Sequence, residues 1–371
     1  MRILALEPYY GGSHRTFLDG WRRGSRHRWT LLTLPPFVWK WRMRHGAITF
    51  AGEVEKRLAA GERWDLLWCS DMLDLAQFRG LAPGAVHRLP AVAYFHENQL
   101  TYPVRFEKER DLHFGLTNLS TALAATEVWF NSAFHRDEFL DAIPRVLRRM
   151  PDFQPSGAVR QIRARSRIRP PGVDAMPERG ERAPGPLRIL WAARWEFDKD
   201  PETFFAALAA LRSRGTPFRL TVLGERFRRL PEIFAEARRT FAEQIDLWGY
   251  QERREDYLAA LTRADVVVST AKHEFFGVSV AEAIAAGCYP LLPRRLAYPE
   301  ILAGVDGGGE EFLYDGSAGE LATWLQELAG RADDLWRGDP LRGRRGMARF
   351  EWRRLRPELD RALEVQGAEV A

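Results

Sequence analysis

The sequence predicts an α/β protein of two doubly wound domains with a cleft between them. Three observations carry that expectation. Short apolar segments of strand length alternate with helical stretches in two separate series, the pattern of parallel sheets covered on both faces. A stretch rich in Pro, Gly and Arg between Pro144 and Pro186 separates the series. The length, 371 residues, exceeds what one ordinary core holds and fits two domains.

In the first series Arg2–Leu6 is a strand, followed by the turn Gly11-Gly12-Ser13-His14 and a helical stretch over Arg15–Arg23. Trp29–Leu34, Leu66–Ser70 and Pro90–Phe95 are the next strands. Glu127–Asn131 follows a small-residue helix at Leu116–Thr126. The divide contains Arg169-Pro-Pro-Gly-Val-Asp174, a linker signature that sets domain bounds of 1–173 and 174–350. The second series runs through the strand Leu187–Ala193, the helix Pro201–Arg212, the strands Phe218–Leu223 and Ile245–Gly249, and the helix Glu255–Arg263. The strand Asp265–Ser269, the helix Val278–Ala286 and the strand Tyr289–Leu292 complete it. In such folds ligands sit at the carboxyl ends of the strands.

Composition narrows the class. Hydrophobic residues at 46% and charged ones at 28% describe a folded chain, not a disordered one. No apolar run reaches the roughly 18–20 residues of a membrane-spanning helix. Met1–Glu7 leads straight into a strand without a signal-peptide layout. The two cysteines, Cys69 and Cys288, are far apart and lack metal-ligand spacing, so a reduced, cytoplasmic protein without structural zinc is expected. Arginine supplies 50 of the 55 basic residues at a net charge of +5. Two readings of that excess stay open: a compositional bias, or guanidinium groups that grip phosphates.

Four segments carry chemistry. The strongest is His273-Glu274-Phe-Phe-Gly277-Val278-Ser279-Val-Ala-Glu282-Ala-Ile-Ala-Ala-Gly287, which follows a strand and opens a helix that Gly287 can cap. A helix start offers unpaired amides and partial positive charge, which suit a diphosphate. Gly277 allows close backbone approach. Eight helical residues rise roughly 12 Å, beyond the roughly 5–9.5 Å between the carboxylates of a glycosidase pair. Glu274 and Glu282 therefore suit separate hydroxyl-binding roles, against the plainer reading of a solvated Glu274 and an ordinary helix glutamate. Second, Arg194 and Lys199 stand five residues apart after a strand and before a helix. Both can hold a leaving diphosphate as its charge develops, or simply pair with Glu196 and Asp198. Third, Gly11 and Gly12 after the first strand permit a phosphate contact or a plain tight turn. They do not form the G-x-G-x-x-G dinucleotide fingerprint, which disfavours an oxidoreductase. Fourth, His96-Glu97-Asn98-Gln99 at a strand end suits sugar or acceptor hydroxyls, or a structural His–Glu pair.

Together these segments resemble the retaining GT-B glycosyltransferases of the family with an E-x7-E motif. The resemblance implies two Rossmann-like domains, the first binding acceptor and the second the nucleotide sugar. It also implies a helix within 351–371 that packs back on the first domain. Residues matching Arg194 and Lys199 hold the donor diphosphate in that family, Glu274 touches the transferred sugar, and Glu282 takes the ribose hydroxyls. The amides of Gly277 and Val278 and those of Gly11 and Gly12 sit at phosphate and sugar. His96 supports the reacting centre, so His96, Glu274, Arg194 and Lys199 are the catalytic candidates.

In the first half the likeness sharpens. Leu6-Glu-Pro-Tyr-Tyr-Gly-Gly-Ser-His14, Trp39-Lys-Trp-Arg-Met-Arg44, Tyr94-Phe-His-Glu-Asn-Gln-Leu-Thr-Tyr-Pro103 and Phe130-Asn-Ser-Ala-Phe-His135 are similar to the tRNA-queuosine α-mannosyltransferase group. That group moves mannose from GDP-mannose to queuosine at the wobble position of tRNA-Asp. Ser13, His14, Trp39, Trp41, Arg42, Glu97 and Asn98 become the acceptor candidates. No cofactor beyond the nucleotide sugar and no metal are implied. The segment Arg145–Arg169 departs from the pattern as an arginine-rich connection without a placed counterpart.

The residues point to RNA on their own as well. Phe37-Val-Trp39-Lys40-Trp41-Arg42-Met-Arg44-His45 interleaves rings that can stack on unpaired bases with cations that can meet phosphates. A tryptophan pair in the core with solvated arginines is the plainer reading. Three other functions remain in view: the same chemistry on a lipid, glycan or small-molecule acceptor; an inactive RNA-binding protein on this fold; and the disfavoured oxidoreductase. The expected reaction is a retaining transfer in which the departing phosphate accepts the proton. Lys199→Ala is then expected to lower turnover by orders of magnitude in a folded protein.

Overall fold

The computed structural model describes residues 1–106, 108, 110–224 and 231–368. It divides into two compact units, Met1–Gly172 with the C-terminal segment from Trp352, and Val173–Glu351. The last three residues of the segment 351–371, in which a C-terminal helix is expected, lie outside the described residues.

Unit 1 begins with β1 (Arg2–Glu7), α1 (Gly12–Arg22), β2 (Arg28–Thr33) and α2 (Trp39–Ala59). It continues with β3 (Leu66–Ser70), α3 (Leu75–Leu81), α4 (Gly84–His87), β4 (Ala91–Phe95) and α5 (Leu112–Ala124). It then passes through β5 (Glu127–Phe130), α6 (Ala133–Leu147), α7 (Ala158–Ala164) and β6 (Ser166–Ile168). The six strands form a parallel sheet in the order β2-β1-β3-β4-β5-β6. Because side chains alternate along a strand, Leu4 and Leu6 enter one core with Phe50, Phe78 and Phe139, while Ile3 and Ala5 enter a second with Phe17 and Trp21.

Unit 2 carries β7 (Leu187–Ala192), α8 (Pro201–Ser213), β8 (Phe218–Leu223), α9 (Glu232–Thr240), β9 (Ile245–Gly249) and α10 (Arg254–Arg263). It goes on with β10 (Val266–Val268), α11 (Val278–Ala285), β11 (Tyr289–Pro293), α12 (Tyr298–Leu302), β12 (Leu313–Tyr314), α13 (Ala318–Gly330) and α14 (Arg342–Met347). Its parallel sheet has the order β12-β11-β10-β7-β8-β9. The last helix, α15 (Trp352–Ala368), belongs to unit 1. Buried Asp360 anchors it by accepting from Trp21 Nε1 at 2.8 Å, Ser25 Oγ at 2.8 Å and the Arg26 amide at 2.9 Å. The Trp352 ring lies on Gly20 and Gly172, where any Cβ would collide with it.

The stretch between Pro144 and Pro186, expected to lack regular structure, instead holds the end of α6, then α7 and the edge strand β6. Pro144 lies inside α6. Burial of Ile143, Val146, Leu147 and Ile162 outweighs the local cost of the ring.

Each sheet has one point where strand order reverses, between β1 and β3 in unit 1 and between β7 and β10 in unit 2. Ligand sites of doubly wound sheets form at the carboxyl ends of such strands. Those ends carry Glu7 and Ser70 in unit 1, and Ala192 and Val268 in unit 2.

Candidate active site

At the unit 2 reversal the loops after β7 and β10 meet. Lys199 is 5% exposed, and its Nζ donates to the His273 carbonyl at 2.6 Å and to Glu274 at 3.3 Å. Asp198 pairs with the same Nζ at 3.1 Å. Ser279 Oγ donates to the Ala192 carbonyl at 2.7 Å, which fixes the start of α11 at the end of β7. Gly277 precedes that helix with φ +92°, a conformation that disfavours other residues. Its position also leaves only 3.3 Å to the Tyr298 ring and 3.4 Å to Glu274 for an added Cβ. The Val278 and Ser279 amides lie in the first turn, where no intrahelical acceptor exists. At the other end Gly287, φ +103°, and Cys288 donate to the Ile284 and Ala283 carbonyls in a Schellman cap.

Charge is unevenly held here. Burial pushes the Glu274 carboxyl up, but Lys199, His273 and Arg194 outweigh it and hold it below the usual carboxylate range. Burial, aided by the Lys199 charge, pushes His273 down to about 4, so it is neutral at physiological pH. Arg194 is the more open cation, with its side chain 39% exposed and Nη1 3.3 Å from Glu196. Glu282 is buried, and its two carboxylate oxygens accept from Arg254 and, at 2.8 Å, from Tyr257. Each oxygen keeps a second lone pair, so a sugar hydroxyl can still donate to it.

The unit 1 reversal holds a denser cluster. Glu7 is fully buried and accepts from the Tyr9 amide and Ser70 Oγ, each at 2.9 Å, while His14 Nδ1 lies 3.1 Å from it. The His14 ring sits 4.0 Å, centroid to centroid, from the ring of His96. Burial opposes a charged His14, yet Glu7, with Asp71 and Glu97, overcomes it and pushes the imidazole up to about 9. Burial together with the His14 and His135 charges drives His96 the other way, well below its ordinary value. Asp71 accepts the His96 amide at 2.9 Å through Oδ1. Its Oδ2 and His96 Nε2 are buried without a hydrogen-bond partner among the described residues. A neutral imidazole with one uncommitted ring nitrogen therefore stands at the end of β4. Glu7, His14 and His96 also bring one potential metal-ligand atom each within 4.8 Å of one another.

The other expected acceptor and phosphate contacts divide. Gly11 packs against Pro36, where a Cβ would overlap, whereas Gly12 has φ +51° and open space beside it. Ser13 is exposed, but His14 is buried and faces Glu7, not solvent. Asn98 is fully buried, and its carboxamide is engaged by Leu100 and Thr101 within its own turn. Half-buried Glu97 accepts from Gln99 at 3.0 Å.

Trp39, Trp41 and Arg42 lie in the first turn of α2, whose cap Val38 has the strained φ of +50°. Trp39 packs on Phe114, but Trp41 is 59% exposed, so the two tryptophans are not a buried pair. Arg42 lies near the exposed Phe37 ring, and Arg44 and Lys40 near Phe114. Exposed rings thus alternate with cations at this helix start. Asp71, Arg254 and Tyr257 were not singled out from sequence. Asp71 follows a fully buried strand and was findable as a strand-end carboxylate. Nothing local marks the other two as partners of Glu282.

Residues 2–173 match the family described as tRNA-queuosine alpha-mannosyltransferase N-terminal, and residues 157–294 the family 4 glycosyltransferases in conflict systems. The tRNA-queuosine alpha-mannosyltransferase of Drosophila melanogaster is 36% identical over 311 residues, 81% of each chain. A GDP-mannose:cellobiosyl-diphosphopolyprenol alpha-mannosyltransferase of Xanthomonas oryzae is 26% identical over 200 residues, 51% of this chain and 50% of that one. Among solved structures, a sucrose-phosphate synthase from Thermosynechococcus elongatus superposes with a TM-score of 0.72 at 15% identity, covering all of both chains. Anabaena HepE in complex with UDP gives 0.68 at 16% identity, over 98% of this chain and 100% of that one. The two parallel sheets have the GT-B fold of these neighbours, the chain is a glycosyltransferase, and it belongs to the tRNA-queuosine alpha-mannosyltransferase family.

Proposed function

We propose that this chain transfers mannose from GDP-mannose to queuosine at the wobble position of tRNA-Asp, with retention at the anomeric carbon and without a metal, in the cytoplasm. The observation that carries the donor half is the meeting of Arg194, Lys199 and the start of α11 at one strand reversal. Two cations and a helix start neutralise a departing diphosphate where other enzymes use a divalent ion. Lys199 contacts Glu274 at 3.3 Å and Asp198 at 3.1 Å. An arriving phosphate oxygen replaces Glu274 on Lys199 and frees that carboxylate for the sugar hydroxyls. Glu282 takes the ribose.

In the transfer the bond from the anomeric carbon to the phosphate oxygen breaks. The acceptor oxygen bonds to the same face, and its proton passes to the leaving phosphate. Neutral His96 is the candidate for supporting the reacting centre. The exposed rings and cations at the start of α2 hold the unpaired anticodon bases. No described helix is long and apolar enough to cross a membrane.

The test incubates the chain with GDP-mannose, queuosine-bearing tRNA and EDTA, followed by mass spectrometry of the nucleosides. The queuosine peak is expected to gain one hexose. No gain, with sugar turnover on a lipid or glycan acceptor instead, overturns the acceptor assignment.

A further inference from the structure

We propose that the end of α6, the following loop and the start of α7 form a second RNA-binding surface, which holds the phosphate backbone of the acceptor tRNA away from the reacting nucleoside. The proposal rests on the tRNA reading above and extends it to a part of unit 1 that the reaction does not use.

The arginines between 145 and 169 sort into two groups. Arg163 pairs with Asp137 and Arg167 with Glu127, while Arg165 and Arg169 donate to backbone carbonyls. These hold the edge of the sheet together. Arg145, Arg148, Arg149 and Arg160 are all exposed, and none has an acidic partner within 4 Å among the described residues. Those four flank one loop: three at the end of α6, one in the first turn of α7, with the two helices packed together. At the loop's middle Phe153 is 97% exposed and held at φ +46°. A bulky residue rarely adopts that conformation, where Gly or Asn is the usual choice. Four uncompensated guanidinium forks around an open aromatic ring match a polyanion that also offers flat apolar faces, which is RNA.

The position fits the body of a tRNA. α6 begins beyond the carboxyl end of β5 and, at 15 residues, rises about 22 Å. Its last turn therefore lies towards the opposite end of the sheet from His96, near where β6 begins. A surface there reaches backbone phosphates of the tRNA body, outside the anticodon stem-loop that carries the wobble nucleoside. An anionic membrane is the competing partner. A membrane-binding element needs an apolar face beside its cations, whereas the segment offers one exposed ring and no lysine.

The test uses the full chain and labelled tRNA over a salt series. Arg148→Ala with Arg149→Ala is expected to weaken binding about tenfold or more and to reduce the salt slope by about two, near one per lost phosphate contact. Phe153→Ala is expected to weaken binding with the slope unchanged. The double variant is also expected to raise KM for whole tRNA while leaving transfer to a queuosine-bearing anticodon stem-loop at the wild-type level. Affinity and slope equal to wild type overturn the proposal. So does loss of binding to phosphatidylglycerol vesicles with tRNA binding intact. If wild-type protein transfers mannose to neither RNA, the acceptor reading fails, and the binding slopes still decide the surface.

Discussion

Replacing Lys199 by methionine tests whether one buried cation both holds the donor loops together and serves the leaving group. Methionine keeps most of the stem volume and removes the charge. The loss leaves the His273 carbonyl, Asp198 and Glu274 short of a donor in a region where Lys199 is 5% exposed. Breaking one partner out of a buried ion pair costs about 3–5 kcal/mol, so unit 2 should lose that much at neutral pH. The loss has a pH signature. Glu274 has a folded-state value held below its ordinary one, so its contribution is present above about pH 4.5 and is lost as pH falls through the folded value. Without Lys199 the burial of Glu274 is less opposed and its value rises. The gap between variant and wild type therefore narrows in acid. Urea unfolding followed by tryptophan fluorescence at a neutral and an acid pH measures both quantities. Arg194→Ala is the control: its side chain is 39% exposed, so stability should change by under about 1 kcal/mol. Turnover in that variant should still fall about 10²–10³-fold, the cost of losing one preorganised donor. A Lys199→Met protein within about 1 kcal/mol of wild type, or a gap that does not narrow in acid, refutes the reasoning.

Three further outcomes follow from the charge arrangement. His273, held down to about 4, is protonated in the unfolded chain before the folded one, so stability should fall by about 3 kcal/mol as pH drops from about 6.5 to about 4; His273→Gln should flatten that fall in a denaturation series. His14, held up to about 9 by Glu7, contributes stability that is complete below about pH 6.5 and lost as pH rises through about 9. Proton NMR of the His14 ring should show its titration moving down by about two units or more in Glu7→Gln, and an unmoved midpoint contradicts the ion pair. Trp41→Ala should raise KM for queuosine-bearing tRNA about tenfold, the size of one lost base stack, with GDP affinity unchanged.

The strands were the most legible part of the sequence. Leu66-Leu-Trp-Cys and Val266-Val-Val are unbroken apolar runs because both faces of a doubly wound sheet are buried. The start and stop of α11 were readable from Gly277 and Gly287, since both occupy positive-φ positions that fit glycine. The helix over Trp39–Ala59 was not expected, because its first turn of alternating rings and cations looks like a surface patch, and its apolar stripe of Met43, Ala47, Phe50 and Val54 is thin. The Glu7–His14–His96–Asp71 cluster was hidden for another reason. Strand register places Leu6 of β1 opposite Cys69 of β3, bringing Glu7 to Ser70 across 63 residues of chain. The local role of Asn98 was not legible either, because a polar residue at a strand end can serve its own turn as readily as a ligand.

The metal-free donor site can be measured alone by calorimetric titration of GDP into the chain with EDTA present. Binding should persist without divalent ions, weaken about ten- to a hundredfold in Arg194→Ala, the equivalent of about 1.5–3 kcal/mol for a charge-assisted bond, and be far weaker for guanosine. GDP affinity that depends on added magnesium, or that is the same in wild type and Arg194→Ala, contradicts the account.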